Sequence, residues 1–108
     1  MKLDDAAARL EALGNPTRLK IFRMLVRAGE QGLPVGRLQV KLDAAASTLS
    51  HHIKSLVIVG LVTQTREGAT LVCHANYALM RDVLGYLVDE CCADGKGSCA
   101  PIVLPQVA

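Results

Sequence analysis

Residues 44–60, AAASTLSHHIKSLVIVG, constrain the fold more than any other stretch, because their pattern predicts one helix with two unlike faces. Apolar residues spaced by three and four fall on one side of such a helix: Leu49, Ile53, Leu56 and Val57. The other side carries hydrogen-bond donors and a positive charge: Ser47, Ser50, His51, Lys54 and Ser55. Such a donor-rich face suits the major groove of DNA. The segment alone fits an ordinary solvated helix equally well, so its neighbours decide between the two interpretations.

The segment before this stretch predicts two helices that pack together. Leu3–Leu13 has an apolar side but is too short to be stable alone, so it must pack on another element. Gly14 ends it. Asn15 and Pro16 then start the second helix, because asparagine accepts hydrogen bonds from unpaired amides and proline fits a first turn. The second helix is expected at the centre of the core, through Leu19, Ile21, Phe22, Met24, Leu25 and Val26.

A helix-turn-helix follows from the next residues. The sequence Leu33-Pro34-Val35 predicts a brief extended link, and Val35–Leu42 predicts a third helix with Val35, Leu38 and Leu42 inward. Asp43 and Ala44 form the turn into the helix of residues 44–60. Two short helices joined by a tight turn, with the donor-rich face on the second, are typical of a DNA-binding helix-turn-helix.

A β-hairpin is predicted directly after the helix-turn-helix. Residues 61–66 and 69–75 are rich in valine, threonine and leucine, and Glu67-Gly68 supplies the turn. A hairpin in this position is a wing, and Arg66 at its tip would lie near a phosphate or the minor groove. The alternative for Arg66 is a solvated turn charge. Cys73 alternates with Leu71 and Ala75, which predicts a small buried residue.

The last predicted helix covers residues 76–92 and carries a continuous apolar stripe. The first helix is also apolar on one side, so the two terminal helices are candidates for a dimer interface. The residues concerned are Leu3, Leu10, Leu79, Val83, Leu84 and Leu87. We therefore expect a dimeric, mainly α winged helix-turn-helix with a β-hairpin wing over residues 1–92. Residues 93–108, rich in small residues and proline, are expected to form a flexible tail.

Composition agrees with this class. The chain has 108 residues, enough for one domain, and 51% of them are hydrophobic. The net charge of +2 is too small to indicate a nucleic-acid partner by itself, but residues 37–66 are more basic than the two ends. No signal-peptide pattern and no apolar run of about 20 residues is present, so a cytoplasmic location is expected. No nucleophile–base pair or phosphate loop is present, so an enzyme is not expected.

Three motifs in this order resemble the ArsR/SmtB family of bacterial metal-sensing repressors. They are LGNPTRLKIFRML at residues 13–25, STLSHHIKSLVIVGLV at 47–62 and TREGATLVCHANY at 65–77. The family often has glycine at the place of Asp43, a Ser/Thr cap at that of Ala45, and a charged pair where this chain has residues 57–59. We expect Asp43 to adopt a left-handed turn and to cap the next helix. Ile58 is expected to be exposed.

The resemblance implies a homodimeric repressor that binds an inverted repeat in its own operator until an inducer binds. Its two recognition helices would enter successive major grooves, about 34–36 Å apart. The residues expected to contact double-stranded DNA are Ser47, Thr48, Ser50, His51, Lys54, Ser55 and Arg66. His52 lies between Leu49 and Leu56 on the helix, so it is expected to pack at the edge of the core.

The cysteines suggest the inducer. Metal sites that the family places in the third helix or on the last helix lack their ligands here, whereas CCADGKGSC brings Cys91, Cys92 and Cys99 within nine residues. Soft thiolates select soft ions, and three sulfur ligands without histidine suit As(III) or Sb(III). Zinc requires a fourth ligand. The spacing is also similar to that of arsenite repressors whose cysteines end the last helix.

Other interpretations of the same residues stay open. The thiols could sense Cd(II), Pb(II) or methylarsenite. A thiol redox or persulfide sensor would use the same fold, with Cys91 or Cys92 reacting with Cys99. Cys99 could also form a disulfide with either neighbour in air. The winged helix could instead bind a protein without any sensing role.

Overall fold

A computed structural model describes residues 1–95 as five α-helices and three β-strands. Their order is α1 Leu3–Leu13, α2 Pro16–Ala28, β1 Leu33–Pro34, α3 Val35–Leu42, α4 Ala46–Ile58, β2 Val62–Glu67, β3 Thr70–Ala75 and α5 Tyr77–Val88. This order confirms the predicted winged helix-turn-helix. Within residues 1–95, no helix is both long enough and apolar enough to cross a bilayer.

The start of each of two helices is fixed by an asparagine. The Asn15 side chain accepts hydrogen bonds from the amides of Thr17 and Arg18, at 2.9 and 3.1 Å, and Pro16 occupies the first turn of α2. Both features confirm the sequence prediction. Asn76 caps α5 in the same way through the amide of Leu79 at 3.1 Å. These caps satisfy amides that a helix leaves unpaired at its start.

Helix α2 lies at the centre of an aliphatic core. Its residues Ile21, Phe22 and Leu25 are buried, whereas Leu19 is exposed. Helices α1, α3 and α4, the sheet and the residue before β2 contribute further buried residues to the same cluster: Ala12, Leu38, Leu49, Ile53, Leu56, Leu61, Val62, Cys73 and Ala75. The apolar side predicted for residues 44–60 is therefore the side that packs on the domain.

The predicted β-hairpin is confirmed as β2 and β3, and β1, which we did not predict as a strand, extends it to a three-stranded antiparallel sheet in the order β1-β3-β2. The predicted link at residues 33–35 is partly a strand, because Leu33 pairs with Cys73 and Pro34 with Val72. Val72 and Cys73 point to opposite faces of the central strand β3, and both are buried. Both faces of the sheet are therefore covered at this point. Gly32 permits the approach, with a φ of +69° that favours glycine.

The boundaries of four elements differ from the predictions. Strand β2 ends at Glu67 and β3 begins at Thr70, so the turn is Gly68-Ala69. Helix α4 starts at Ala46 because Ala45 is extended, and it ends before Gly60, whose φ is +84°. Helix α5 ends at Val88 rather than at residue 92. There, acidic side chains oppose the helix dipole, and Cys92 has a positive φ of 62°.

Candidate nucleic-acid interface

The turn between α3 and α4 fixes the start of α4, the predicted recognition helix. Asp43 has the left-handed conformation that we predicted, with φ 49° and ψ 48°. Its amide donates a hydrogen bond to the Val40 carbonyl at 3.3 Å. The prediction that Asp43 also caps α4 is wrong, because the capping position is Ala45 and no side chain bonds the first amides there. Unpaired amides at a helix start favour anions such as phosphate.

The donor face of α4 points to solvent. We define the donor face as Ser47, Thr48, Ser50, His51 and Lys54, all of which are exposed. Ser55 differs, since it is half-buried and its hydroxyl donates to the His51 carbonyl at 3.1 Å. The opposite side of α4 is buried in the core, so this face is the one that an outside partner can reach.

Positive charges lie on the elements around the donor face. Helix α4 contains Lys54 and no carboxylate, and Arg37 and Lys41 of α3 are exposed. Arg66 is exposed on β2, but it pairs with Leu71 rather than standing at the very tip. The closing pair is Glu67 with Thr70. The carboxylates nearest in sequence to this surface are Asp43 and Glu67, both exposed.

His74 fixes the wing to the body of the domain. Its Nδ1 lies 3.0 Å from the Glu30 carbonyl oxygen, and its Nε2 lies 2.9 Å from the Thr65 hydroxyl. Because a carbonyl oxygen only accepts, Nδ1 carries the proton, and the Nε2 of a neutral ring accepts from Thr65. This side chain therefore joins β3 to β2 and to the loop between α2 and β1.

Cys73 is a buried structural residue, as predicted. It has no exposed surface, and the Gln64 amide donates a hydrogen bond to its sulfur at 3.4 Å. Burial raises the pKa of the Cys73 thiol, and the hydrogen bond from Gln64 opposes that rise. The thiol is therefore kept protonated and unreactive at neutral pH.

His52 lies under the donor face at the edge of the core. The residue is half-buried, and its Nδ1 is buried without a hydrogen-bond partner. Burial lowers the pKa of His52 most, and the positive charges of Arg18 and His51 lower it further. The neutral ring is thus the form that this position favours.

Two side chains that sequence reasoning missed hold the C-terminal end of α4. The Arg9 Nε–H of α1 donates to the Val59 carbonyl at 3.2 Å. The side-chain amide of Asn76 donates to the Gly60 carbonyl at 3.0 Å. No local pattern could reveal the first contact, because its partners are 50 residues apart in sequence. Ile58, beside them, is 73% exposed, as predicted.

The described part of the proposed thiol site consists of two cysteines after α5. Cys91 and Cys92 are exposed, and their Sγ atoms lie 3.8 Å apart. The third predicted ligand, Cys99, lies outside the described residues, as does most of the predicted tail at 93–108. Among residues 1–95, no three histidine, cysteine or acidic side chains are grouped to hold a metal ion.

The predicted dimer residues divide into two groups. Leu3, Leu10, Leu84 and Leu87 are exposed, with Leu3 at 68% and Leu87 at 58%. Val83 is already buried in the single chain, and Leu79 packs against the core. The exposed members lie on α1 and α5, which contact each other.

The sequence matches a family model described as a helix-turn-helix domain over residues 13–65. It is 44% identical over 59 residues to a candidate arsenical resistance operon repressor, ArsR, of Halobacterium salinarum. The matched segment covers 55% of this chain and 45% of that protein. It is 34% identical over 67 residues to an uncharacterised helix-turn-helix transcriptional regulator of Methanocaldococcus jannaschii. This match covers 62% of this chain and 73% of that protein. The chain thus spans less than half the length of the Halobacterium protein.

Solved structures show the same fold. An ArsR-like transcriptional regulator from Rhodococcus superposes with a TM-score of 0.71 at 21% identity, over 84% of this chain and 82% of the other. A second match is the homodimeric winged helix-turn-helix DNA-binding domain of a candidate ArsR-family regulator from Mycobacterium bovis. It superposes with a TM-score of 0.64 at 23% identity, over 90% of each chain. These relatives are transcriptional regulators rather than enzymes, as expected from the sequence. The chain belongs to the helix-turn-helix transcriptional regulators and has the fold of ArsR-like regulators.

Proposed function

We propose that the protein is a repressor that binds an operator inverted repeat as a homodimer and releases it when As(III) or Sb(III) binds Cys91, Cys92 and Cys99. The observation that carries the DNA part is the donor face of α4, exposed and without a carboxylate, above a side that is buried in the core. Hydroxyl, imidazole and ammonium groups are the donors that contact base edges and phosphates in a major groove.

The homodimer is supported by the exposed leucines of the two terminal helices. Leu3 and Leu87 are more than half exposed in the single chain, and a second copy would cover them. The Mycobacterium bovis domain with the same fold is homodimeric. A two-fold dimer presents two recognition helices, which matches the symmetry of an inverted repeat.

The metalloid part is supported by the geometry after α5. The Sγ atoms of Cys91 and Cys92 are 3.8 Å apart. Two thiolates this close together can bind one soft ion, and soft thiolates select soft ions such as As(III) and Sb(III). The Halobacterium relative carries the name of an arsenical resistance operon repressor.

The donor face is tested by fluorescence anisotropy on a labelled fragment of the gene's own promoter. Lys54→Ala should weaken binding by about tenfold and reduce the dependence of log Kd on log salt by about one unit, since it removes one phosphate contact. Lys20→Ala removes an exposed lysine of α2 and should change Kd less than about twofold. Equal effects of the two substitutions would contradict a DNA-binding role for α4.

The inducer is tested by adding arsenite to the same reduced complex. Wild-type protein should release DNA on arsenite binding. The coupling free energy between arsenite binding and DNA binding should be about 1–3 kcal/mol, which raises the Kd for DNA about 5–150-fold. Serine at Cys91, Cys92 or Cys99 should leave DNA binding intact and abolish release. The control is Cys73→Ala, because this buried cysteine lies on β3 and should not affect release.

Three outcomes separate the alternatives. Arsenite release that persists in all three serine variants would place the site elsewhere. Release by polysulfide or peroxide, with no response to arsenite, would favour a thiol redox sensor of the same fold. Absence of DNA binding by the wild-type chain would overturn the repressor itself.

A further inference from the structure

Arg9 connects α1 to the C-terminal end of the recognition helix. The last carbonyls of a helix have no amide partners within the helix and need donors from elsewhere. Here the half-buried Arg9 side chain supplies one, with its Nε–H 3.2 Å from the Val59 carbonyl oxygen. A cation beside the negative end of the helix dipole strengthens this contact.

A second arginine fixes α1 in turn. The Arg18 Nε–H of α2 donates to the Ala12 carbonyl at the end of α1, at a distance of 2.6 Å. The central helix α2 thus holds α1 through Arg18, and α1 holds α4 through Arg9. Because the guanidinium group is planar and its donors have fixed directions, each contact defines an orientation as well as a distance.

Apolar packing does not fill the junction of these three helices. A groove of about 280 Å³ lies there, and its lining includes Ala8, Glu11 and Ala12 of α1, Arg18 of α2, and Ser55 and Ile58 of α4. The α1 side of the groove is built from small alanine side chains and one exposed glutamate. The small α1 side chains beside this groove make few contacts with the end of α4, so the Arg9 hydrogen bond adds an orienting contact between α1 and α4 to the one that Asn76 supplies from the start of α5.

We propose that Arg9 is a positioning residue for DNA binding, which sets the angle of α4 without touching the DNA. This inference rests on the proposed repressor function. Two recognition helices must enter grooves about 34–36 Å apart, so a rotation of α4 relative to α1 changes how both halves of the dimer meet the operator. Since α1 also carries the exposed leucines of the proposed dimer interface, Arg9 links that interface to the recognition helix.

The test compares Arg9→Met with Arg23→Met in the full chain. Methionine keeps an unbranched apolar stem and removes the donor, and Arg23 is an exposed arginine of α2 that lines the groove next to α5. Arg9→Met should weaken binding to the promoter fragment by about tenfold, the effect of removing one hydrogen bond from a charged donor. Its salt dependence should equal that of the wild type, because every phosphate contact is kept. Arg23→Met should stay within about twofold of the wild type.

Two further measurements separate positioning from other effects. In Arg9→Met, hydrogen exchange should become faster at the amides of residues 57–61, while the dimer dissociation constant from sedimentation should stay the same. Arg9→Lys keeps the charge but replaces the planar guanidinium, whose donors have fixed directions, with a flexible ammonium group, and it serves if the methionine variant does not fold. It should weaken DNA binding less than Arg9→Met does, with the same salt dependence as the wild type.

The results that would overturn the inference differ from those that would overturn the proposed function. Wild-type affinity in Arg9→Met, with wild-type protein binding DNA, would remove the positioning role and leave the repressor in place. A salt slope reduced by about one unit would mean that Arg9 contacts a phosphate directly, which also contradicts positioning. If the wild-type chain binds no DNA, the proposed function fails and the role of Arg9 fails with it.

Discussion

His52 makes the stability of the recognition helix depend on pH. Its Nδ1 is buried without a partner, and burial, Arg18 and His51 together lower its pKa below the ordinary value of 6.5. Well above pH 6.5 the ring is neutral in both the folded and the unfolded chain, so it has little effect on the free energy of unfolding. Below pH 6.5 the unfolded chain binds the proton more readily than the folded one, and the free energy of unfolding decreases as pH falls.

The corresponding prediction concerns His52→Gln. Urea unfolding of the wild type should give a lower free energy of unfolding at pH 5.5 than at pH 7.5, and the decrease should be smaller in His52→Gln because the titrating group is gone. The urea m-values of both proteins should agree, which controls for a change in the unfolded ensemble. An identical pH dependence in the two proteins would show that other groups control it.

At the scale of elements, local signals predicted the helices better than the sheet. The periodicity of residues 44–60, the Asn15-Pro16 start of α2 and the turn at Asp43 depend on neighbours in the chain, and each was found. Strand β1 has two residues, one of them a proline, so it has no alternation to detect. It exists only because β3, about 40 residues later in the chain, pairs with it.

Gly32 is the residue on which this pairing depends. A side chain there would meet the Cys73 carbonyl oxygen and lie 2.6 Å from Nδ1 of His74, and its φ is +69°. Gly32→Ala should therefore reduce the free energy of unfolding by about 2 kcal/mol or more. In the control Gly36→Ala, nothing lies within 4 Å and the residue is in α3, so stability should rise by up to about 1 kcal/mol. Thermal unfolding of both variants measures the two changes in stability. Equal changes would contradict a special role of Gly32.

The candidate site was predictable to the same extent as its elements. The donor face follows from helical spacing, so its residues were identified and are exposed. The contacts at the other end of α4, from Arg9 and Asn76, join residues 50 and 16 positions apart and depend on tertiary packing. The exposure of the donor face could therefore be predicted from the sequence, whereas the contacts of Arg9 and Asn76 could not.

At the scale of the whole molecule, two kinds of exposed apolar side chain need different explanations. Leu87 on α5 is 58% exposed and Ile58 at the end of α4 is 73% exposed. Leu87 lies on a terminal helix of the predicted dimer interface, whereas Ile58 belongs to the helix that we propose enters DNA. Exposure in the single chain does not distinguish the roles of Leu87 and Ile58. Substitution of each by glutamate does, because dimerisation and DNA binding can be measured separately.

Leu87→Glu should weaken the dimer by about 30-fold or more, because removing a central apolar side chain from an interface costs about 2 kcal/mol. The substitution acts twice in a two-fold dimer, and the fold of each chain should persist because Leu87 is exposed. Ile58→Glu introduces the same charge and should leave the dimer dissociation constant unchanged, while it weakens binding to the promoter fragment. Sedimentation equilibrium measures the first effect and anisotropy the second. A Leu87→Glu protein that dimerises as tightly as the wild type would exclude this face of α5 from the interface, and the inverted-repeat geometry would then require a different pair of surfaces.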